Sequence, residues 1–246
     1  MDSNYIPGRK PVLELLSLSE NMIDQVLIKK PVPGELRQVI ERCRQAGVRF
    51  RLCSGEELDR IARGHQGVIA RIRSLGLVPP ENMFSLWEKS AFPVILALDQ
   101  VQDTGNLGTL ARTMAALGGL GIITPRDRSA YPGPGAMKSS AGALAGINLA
   151  RVTNMSRTLD QARDEGLWVY GAASREGGSI FEAHFNFPAV LVLGGEEKGI
   201  RPNVLKRCHE IVRIPMPGGF DSLNVAQAGA VILGRMLMEW SVGNKR

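Results

Sequence analysis

Three groups of residues stand where apolar runs end, and their side chains could do chemistry. Asn106, Gly108 and Arg112 follow the run 94–99. Gly194, Gly195, Glu196 and Gly199 follow the run 189–193, and Ile214-Pro215-Met216 with Ser222-Leu223-Asn224-Val225 follow the run that begins at 211. Short apolar runs that break into glycines and turns are how buried parallel strands end when their carboxyl edges form a ligand site. A glycine-rich strand end beside a polar helix cap offers backbone donors and acceptors to a small molecule. Each group alone has a plainer reading: Gly194-Gly195 as a strand-ending turn, Arg112 as a solvated helix residue, Asn106 and Asn224 as helix caps.

Other chemistries lack their residues. The chain has no Gly-x-x-x-x-Gly-Lys-Ser/Thr, so the glycines do not form a triphosphate loop, and the junction at 103–108 is Asp-Thr-Gly-Asn-Leu-Gly, not the dinucleotide pattern Gly-x-Gly-x-x-Gly. His65, His184 and His209 fall in separate segments, which disfavours a histidine-based triad. Cys43, Cys53 and Cys208 are odd in number and lack Cys-x-x-Cys spacing. That favours a reduced, cytoplasmic setting with no metal site. No apolar run approaches the ~20 residues of a membrane span, and the first residues lack the basic-then-apolar order of a signal peptide.

The elements that must position these groups alternate between strand and helix patterns. From residue 93 the runs 94–99, 120–124, 149–152, 167–172, 189–193 and 211–214 read as strands. Between the first two lies a helix with Leu107, Leu110, Ala111, Met114 and Leu117 at helical spacing, which Asn106 is placed to cap and Gly118-Gly119 to stop. Another helix covers 159–165, and a last one runs from 225 to 240 with Asn224 as its cap. This order predicts an α/β fold, a mostly parallel sheet with helices on both faces. The first 75 residues form a smaller α/β unit: a turn or lead-in at 6–10, a short helix with Val12, Leu13, Leu15 and Leu16, strands at 25–29, 48–52 and 67–72, and helices opened by Pro33-Gly34 and Ser54-Gly55. The pattern breaks down from 76 to 92, which is read as a linker between units at 1–75 and 93–246.

The 246 residues carry a net charge of +6, a mild lean toward nucleic acid. Its distribution says more: from Arg37 to Arg73 there are nine arginines and no lysine, against four acidic residues. Arginine's planar fork suits phosphate, although a solvated surface would account for the same residues.

Taken together, the three groups resemble the SpoU (TrmH-type) family of RNA ribose 2′-O-methyltransferases, in the SPOUT class. Its Asn-x-Gly-x-x-x-Arg, Gly-x-Glu-x-x-Gly and Ile-Pro-Met…Ser-Leu-Asn-Val motifs occur here in that order, over about 94–237. His65-Gln66-Gly67-Val68-Ile69-Ala70 and Asp127-Arg128-Ser129-Ala130 are similar to the branch that modifies large-subunit ribosomal RNA, which carries a small amino-terminal domain resembling ribosomal protein L30e. Two departures are visible: Glu197 stands where a small residue is more usual, and Gln227 brings an amide into the last helix.

The resemblance implies S-adenosyl-L-methionine bound in a deep trefoil knot, against Gly194, Gly195, Ile214, Met216 and Leu223. It points to Arg112 as the residue acting on the ribose 2′-hydroxyl. An arginine resists deprotonation, its pKa exceeding ~12, so a role in holding the adjacent phosphate and stabilising alkoxide charge is preferred over that of a base. Asn106 would position Arg112 or the ribose, Glu196 would anchor the array, and Ser222 and Asn224 would orient the arginine or the substrate. The last helix, with Ala226, Ala228, Gly229, Ala230 and Gly234, would pair two subunits into a homodimer whose active site borrows from the neighbour, although packing within one chain would use the same small residues. The expected function is 2′-O-methylation of a guanosine in 23S ribosomal RNA. The alternatives are a transfer-RNA or antibiotic-resistance methyltransferase of the same family, and a non-catalytic RNA-binding assembly factor.

Overall fold

The computed structural model describes residues 5–18, 20–72 and 76–243. Arg73, the last arginine of the basic stretch, and the linker's boundary at 75 lie outside them. The first part contains β1 (Tyr5–Pro7), α1 (Arg9–Leu18), β2 (Ile23–Lys29), α2 (Arg37–Gln45), β3 (Phe50–Cys53), α3 (Gly55–Ile61) and β4 (Val68–Ile72). They build a four-stranded sheet in the order β1-β4-β2-β3, in which β4 runs antiparallel to both β1 and β2. The lead-in expected at residues 6–10 is in part a strand. Tyr5, Ile6 and Pro7 pair with Arg71, Ala70 and Ile69, an edge position where Pro7 costs no interior ladder bond.

Next come α4 (Pro80–Phe84), β5 (Phe92–Asp99), α5 (Thr104–Leu117), β6 (Gly119–Pro125), α6 (Pro134–Ser139), β7 (Leu149–Val152), α7 (Met155–Asp164) and β8 (Trp168–Ala172). The chain ends with β9 (Gly178–Ser179), β10 (Ala189–Gly194), α8 (Pro202–Leu205), β11 (Glu210–Arg213) and α9 (Val225–Gly243). Seven strands form one parallel sheet in the order β7-β6-β5-β10-β8-β11-β9, which is the α/β architecture expected from the sequence. Between the two sheets, residues 76–92 are ordered against the larger one: Leu77 bridges Leu149, and Met83 and Phe84 of α4 are buried.

The alternating side chains of β5 and β10 divide the core in two. Phe92, Val94, Leu96 and Leu98, with Ala189, Leu191 and Leu193, pack on the face covered by α5 and α9. Ile95 and Ala97, with Val190 and Val192, pack on the opposite face against α4, α7 and α8. Both central strands are therefore apolar without a break, and their polar turns are confined to the carboxyl edge.

Candidate functional site

The turn after β5 sets up the first part of the site. Asp103, not Asn106, is the cap of α5: its carboxylate accepts from the amides of Gly105 and Asn106. An acid at the cap also suits the positive end of the helix dipole. Asn106 sits one turn inside, 8% exposed, with its side chain free to point at the neighbouring strand ends. Gly108 is closed to any side chain, because a Cβ there would lie 2.0 Å from the Ser139 hydroxyl and 2.4 Å from the Ala136 carbonyl.

The turn after β10 folds back on itself. A Cβ on Gly194 would meet the Gly199 carbonyl carbon at 2.1 Å, and one on Gly195 would meet the Gln100 carbonyl oxygen at 2.5 Å. These glycines are thus required by chain-on-chain packing before any ligand is considered. A fully buried carboxylate fastens the turn: Asp99, at the end of β5, accepts from the Arg201 backbone amide at 2.8 Å and from its guanidinium Nη2 at 2.6 Å. The signal for Asp99 was a charge closing an all-apolar strand, but nothing in the sequence tied it to Arg201.

The third turn leads from β11 into α9, where Asn224 is the cap. Its Oδ1 accepts from the amide of Ala226 at 2.9 Å. The same side chain closes a three-residue array. Asn224 Nδ2 donates to Glu196 Oε1 at 2.7 Å and to Asn106 Oδ1 at 3.0 Å, and Asn106 Nδ2 donates to that same Glu196 oxygen at 2.9 Å. Glu196 Oε2 accepts no hydrogen bond from any described residue.

Beside this array lies a cleft of about 710 Å³. Gly194, Gly195, Ile214, Met216 and Leu223 all line it, together with Glu196, Ser222 and Asn224. Val225 and Ile232 add apolar wall, while Arg175 and Asp221, paired at 3.1 Å, span two of its segments at the surface. A cleft of this size with mixed apolar and polar lining suits a nucleoside-sized ligand.

Arg112 is placed differently. It is exposed on α5, pairs with no described residue and does not line the cleft. It lies six positions beyond Asn106 on the helix, about 120° around the axis and ~9 Å along it. The side-chain amide of Asn106 is engaged by Glu196 and Asn224, so one chain does not bring Arg112 to the array.

The small residues of α9 face two ways. A Cβ on Gly229 would lie 2.5 Å from Leu110 Cδ2 and 2.8 Å from Leu193 Cδ1, so this glycine serves packing within the chain. Gly234 meets nothing within 4 Å and is flanked on the outer face by Val231, Met238 and Val242, which are 41%, 57% and 64% exposed.

The titratable groups with clear shifts lie outside the array. Burial pushes the Cys208 thiol up to about 12 and the Cys43 thiol to about 11, which disfavours the thiolate at both. Among the described residues, no group of three or more histidines, cysteines or acids could hold a metal ion, and no helix is long and apolar enough to cross a membrane.

Residues 93–234 match the SpoU rRNA Methylase family, and residues 5–77 match the family of RNA 2′-O ribose methyltransferase substrate-binding domains. The chain is 33% identical to the 23S rRNA (guanosine-2′-O-)-methyltransferase RlmB of Haemophilus influenzae, over 94% of this chain and 96% of that one. It is 34% identical to the RlmB of Xanthomonas axonopodis pv. citri, over 94% of each. Among solved structures, the SpoU methyltransferase AviRb of Streptomyces viridochromogenes, in complex with AdoMet, superposes with a TM-score of 0.68 at 21% identity. It covers 97% of this chain and 91% of its own, and shares the fold.

Proposed function

Given that the chain belongs to the SpoU rRNA Methylase family, we propose that it transfers a methyl group from S-adenosyl-L-methionine to the 2′-oxygen of a guanosine ribose in 23S ribosomal RNA. The observation that carries this reading is the Asn106–Glu196–Asn224 array beside a cleft lined by Gly194, Gly195, Ile214, Met216 and Leu223. When bound, the cofactor supplies a methyl group on a positively charged sulfur. The chain's own part is to hold adenosine on the backbone of these turns and to bring a ribose hydroxyl in line.

Glu196 is the anchor of the array. Two side-chain amide donors fix one of its oxygens and leave the other for an incoming donor. We assign that donor to Arg112 of a second copy, since Arg112 of the same chain faces elsewhere. In this arrangement Arg112 holds the phosphate beside the target ribose and stabilises negative charge that develops on the 2′-oxygen during transfer. Ser222, exposed at the cleft, orients the ribose. The outer face of α9 around Gly234, Val231 and Met238 supports a homodimer formed through that helix. In the same reading, residues 1–75 bind the RNA substrate, 76–92 connect, and 93–246 carry out transfer in the cytoplasm. The turns after β10 and β11 line one cleft, which supports a knotted carboxyl-terminal segment. Mapping ribose methyls on ribosomal RNA from cells with and without the protein tests the assignment. Loss of one guanosine methyl from 23S RNA is expected, and identical maps would refute it.

A further inference from the structure

The carboxyl edge of the large sheet does not end at the cleft. Strand register places Gly194 level with Asp99, Asp99 two residues beyond the pair Ala97–Ile123, and Pro125 level with Val152. The turns after β10, β5 and β6 therefore stand side by side, and the Ala130 amide, donating to the Val101 carbonyl at 2.7 Å, ties the third to the second. At ~4.8 Å per strand, β6 and β7 lie about 10 and 14 Å from β10.

That far end of the edge is cationic and aromatic. Arg126 and Arg128 follow β6, with Arg128 held at φ 51°. Arg151 lies on β7, and Arg157 on the first turn of α7. Arg126, Arg128 and Arg157 are exposed, and none of the four forms an ion pair with a described residue. Asp127 is the one acid within 126–131 and 151–157. The Arg151 guanidinium lies 5.4 Å from the centroid of the Tyr131 ring and donates to the Arg126 carbonyl. Its Nε is buried without a partner among the described residues. Tyr131 is itself 42% exposed.

Arginines without carboxylate partners beside an exposed ring are the combination that holds single-stranded nucleic acid, phosphates on the cations and a base on the ring. We propose that this shelf carries the single-stranded RNA flanking the target nucleotide: the cofactor cleft lies to one side of the Asn106–Glu196–Asn224 array and the RNA track to the other. Arg126, Arg128 and Arg157 take backbone phosphates, and Tyr131, steadied by Arg151, stacks on a base. This inference rests on the RNA-methylation reading and deepens it by naming the conformation of the RNA and its path.

The test measures binding of a single-stranded ribosomal RNA fragment and of a duplex of the same sequence across a salt series. The full-length protein is compared with Arg126→Ala/Arg128→Ala, Arg157→Ala, Tyr131→Ala and Tyr131→Phe. Calorimetry with S-adenosyl-L-methionine checks that each variant keeps its fold and cleft. The double variant is expected to bind the single strand on the order of 10-fold more weakly, with a salt slope shallower by roughly 1.4, from two lost contacts at about 0.7 each. Arg157→Ala should lose about half as much slope. Tyr131→Ala is expected to lose on the order of 10-fold in single-strand affinity, and Tyr131→Phe to restore it. Cofactor affinity should stay unchanged throughout. Wild-type affinity and slope in all variants, or a preference for the duplex, would overturn the shelf while leaving methylation intact. A wild-type protein that binds neither RNA form would refute the wider reading itself.

Discussion

Asn224 holds its side-chain nitrogen 2.7 Å from the Glu196 carboxylate while its oxygen caps α9 through the Ala226 amide. One residue thus couples the start of the last helix to the centre of the array, and the two duties can be separated. Asn224→Asp keeps a good capping oxygen but replaces the amide donor with a second carboxylate facing Glu196. It should keep the cap, lose some thermal stability near neutral pH to repulsion between the two carboxylates, and lower kcat by about 100-fold or more. Asn224→Ala should also lose roughly 1 kcal/mol of stability with the cap. Thermal unfolding and methyl-transfer rates on both variants check this. Equal activity of Asn224→Asp and wild type would remove Asn224 from the catalytic array.

Gly194→Ala is expected to abolish cofactor binding through the backbone. The added carbon would meet the Gly199 carbonyl carbon at 2.1 Å, and a backbone neighbour cannot swing aside as a side chain can. The turn must open, so calorimetry should show no S-adenosyl-L-methionine binding, together with a stability loss of about 2 kcal/mol or more. Wild-type affinity would mean that the turn is looser than its packing indicates.

Asp99→Ala strips the Arg201 guanidinium of its buried partner and frees the turn that carries Glu196. Arg201 is 36% exposed on its side chain, so the loss should fall near or below the lower end of the roughly 3–5 kcal/mol seen when a buried pair is broken. Urea unfolding should show a lower midpoint, and turnover should fall with it. An unchanged midpoint would show that the pair contributes nothing to holding the turn.

A charge on the outer face of α9 should separate subunits. Light scattering is expected to give twice the 26.7 kDa chain mass for the wild type and a monomer for Met238→Glu. The monomer should fail to methylate, because Arg112 of the second copy would then be missing from the array. A fully active wild-type monomer would contradict the shared site.

Much of this was legible in the residues because the signals were local. Unbroken apolar runs ending in glycine located β5 and β10, and the α/β order followed from their alternation with helix patterns. Asn224 as a cap was likewise readable from the helix that follows it. Asn106 was not, since an acid three residues earlier competes for the same role and Asp103 takes it. The Asp99–Arg201 pair spans 102 positions, and only the fold brings its members together. Tyr5–Pro7 is a strand because β4 offers it an edge, a tertiary fact that a three-residue segment with a proline does not announce. Arg112 carried a motif signal but no direction. Its angle from Asn106 emerges once α5 is capped at Asp103 and packed on Leu107, Leu110 and Met114.

The most direct measurement follows the methyl group. Purified protein, radiolabelled S-adenosyl-L-methionine and unmodified 23S RNA are incubated together, and the RNA is then hydrolysed in alkali. Alkaline cleavage needs a free 2′-hydroxyl, so a ribose methyl survives in a dinucleotide, whereas a base methyl is released in a mononucleotide. Label in alkali-resistant dinucleotides containing guanosine, strongly reduced in Asn224→Asp and Arg112→Ala, is the predicted result. Label in mononucleotides, or none despite cofactor binding by the wild type, would contradict the account.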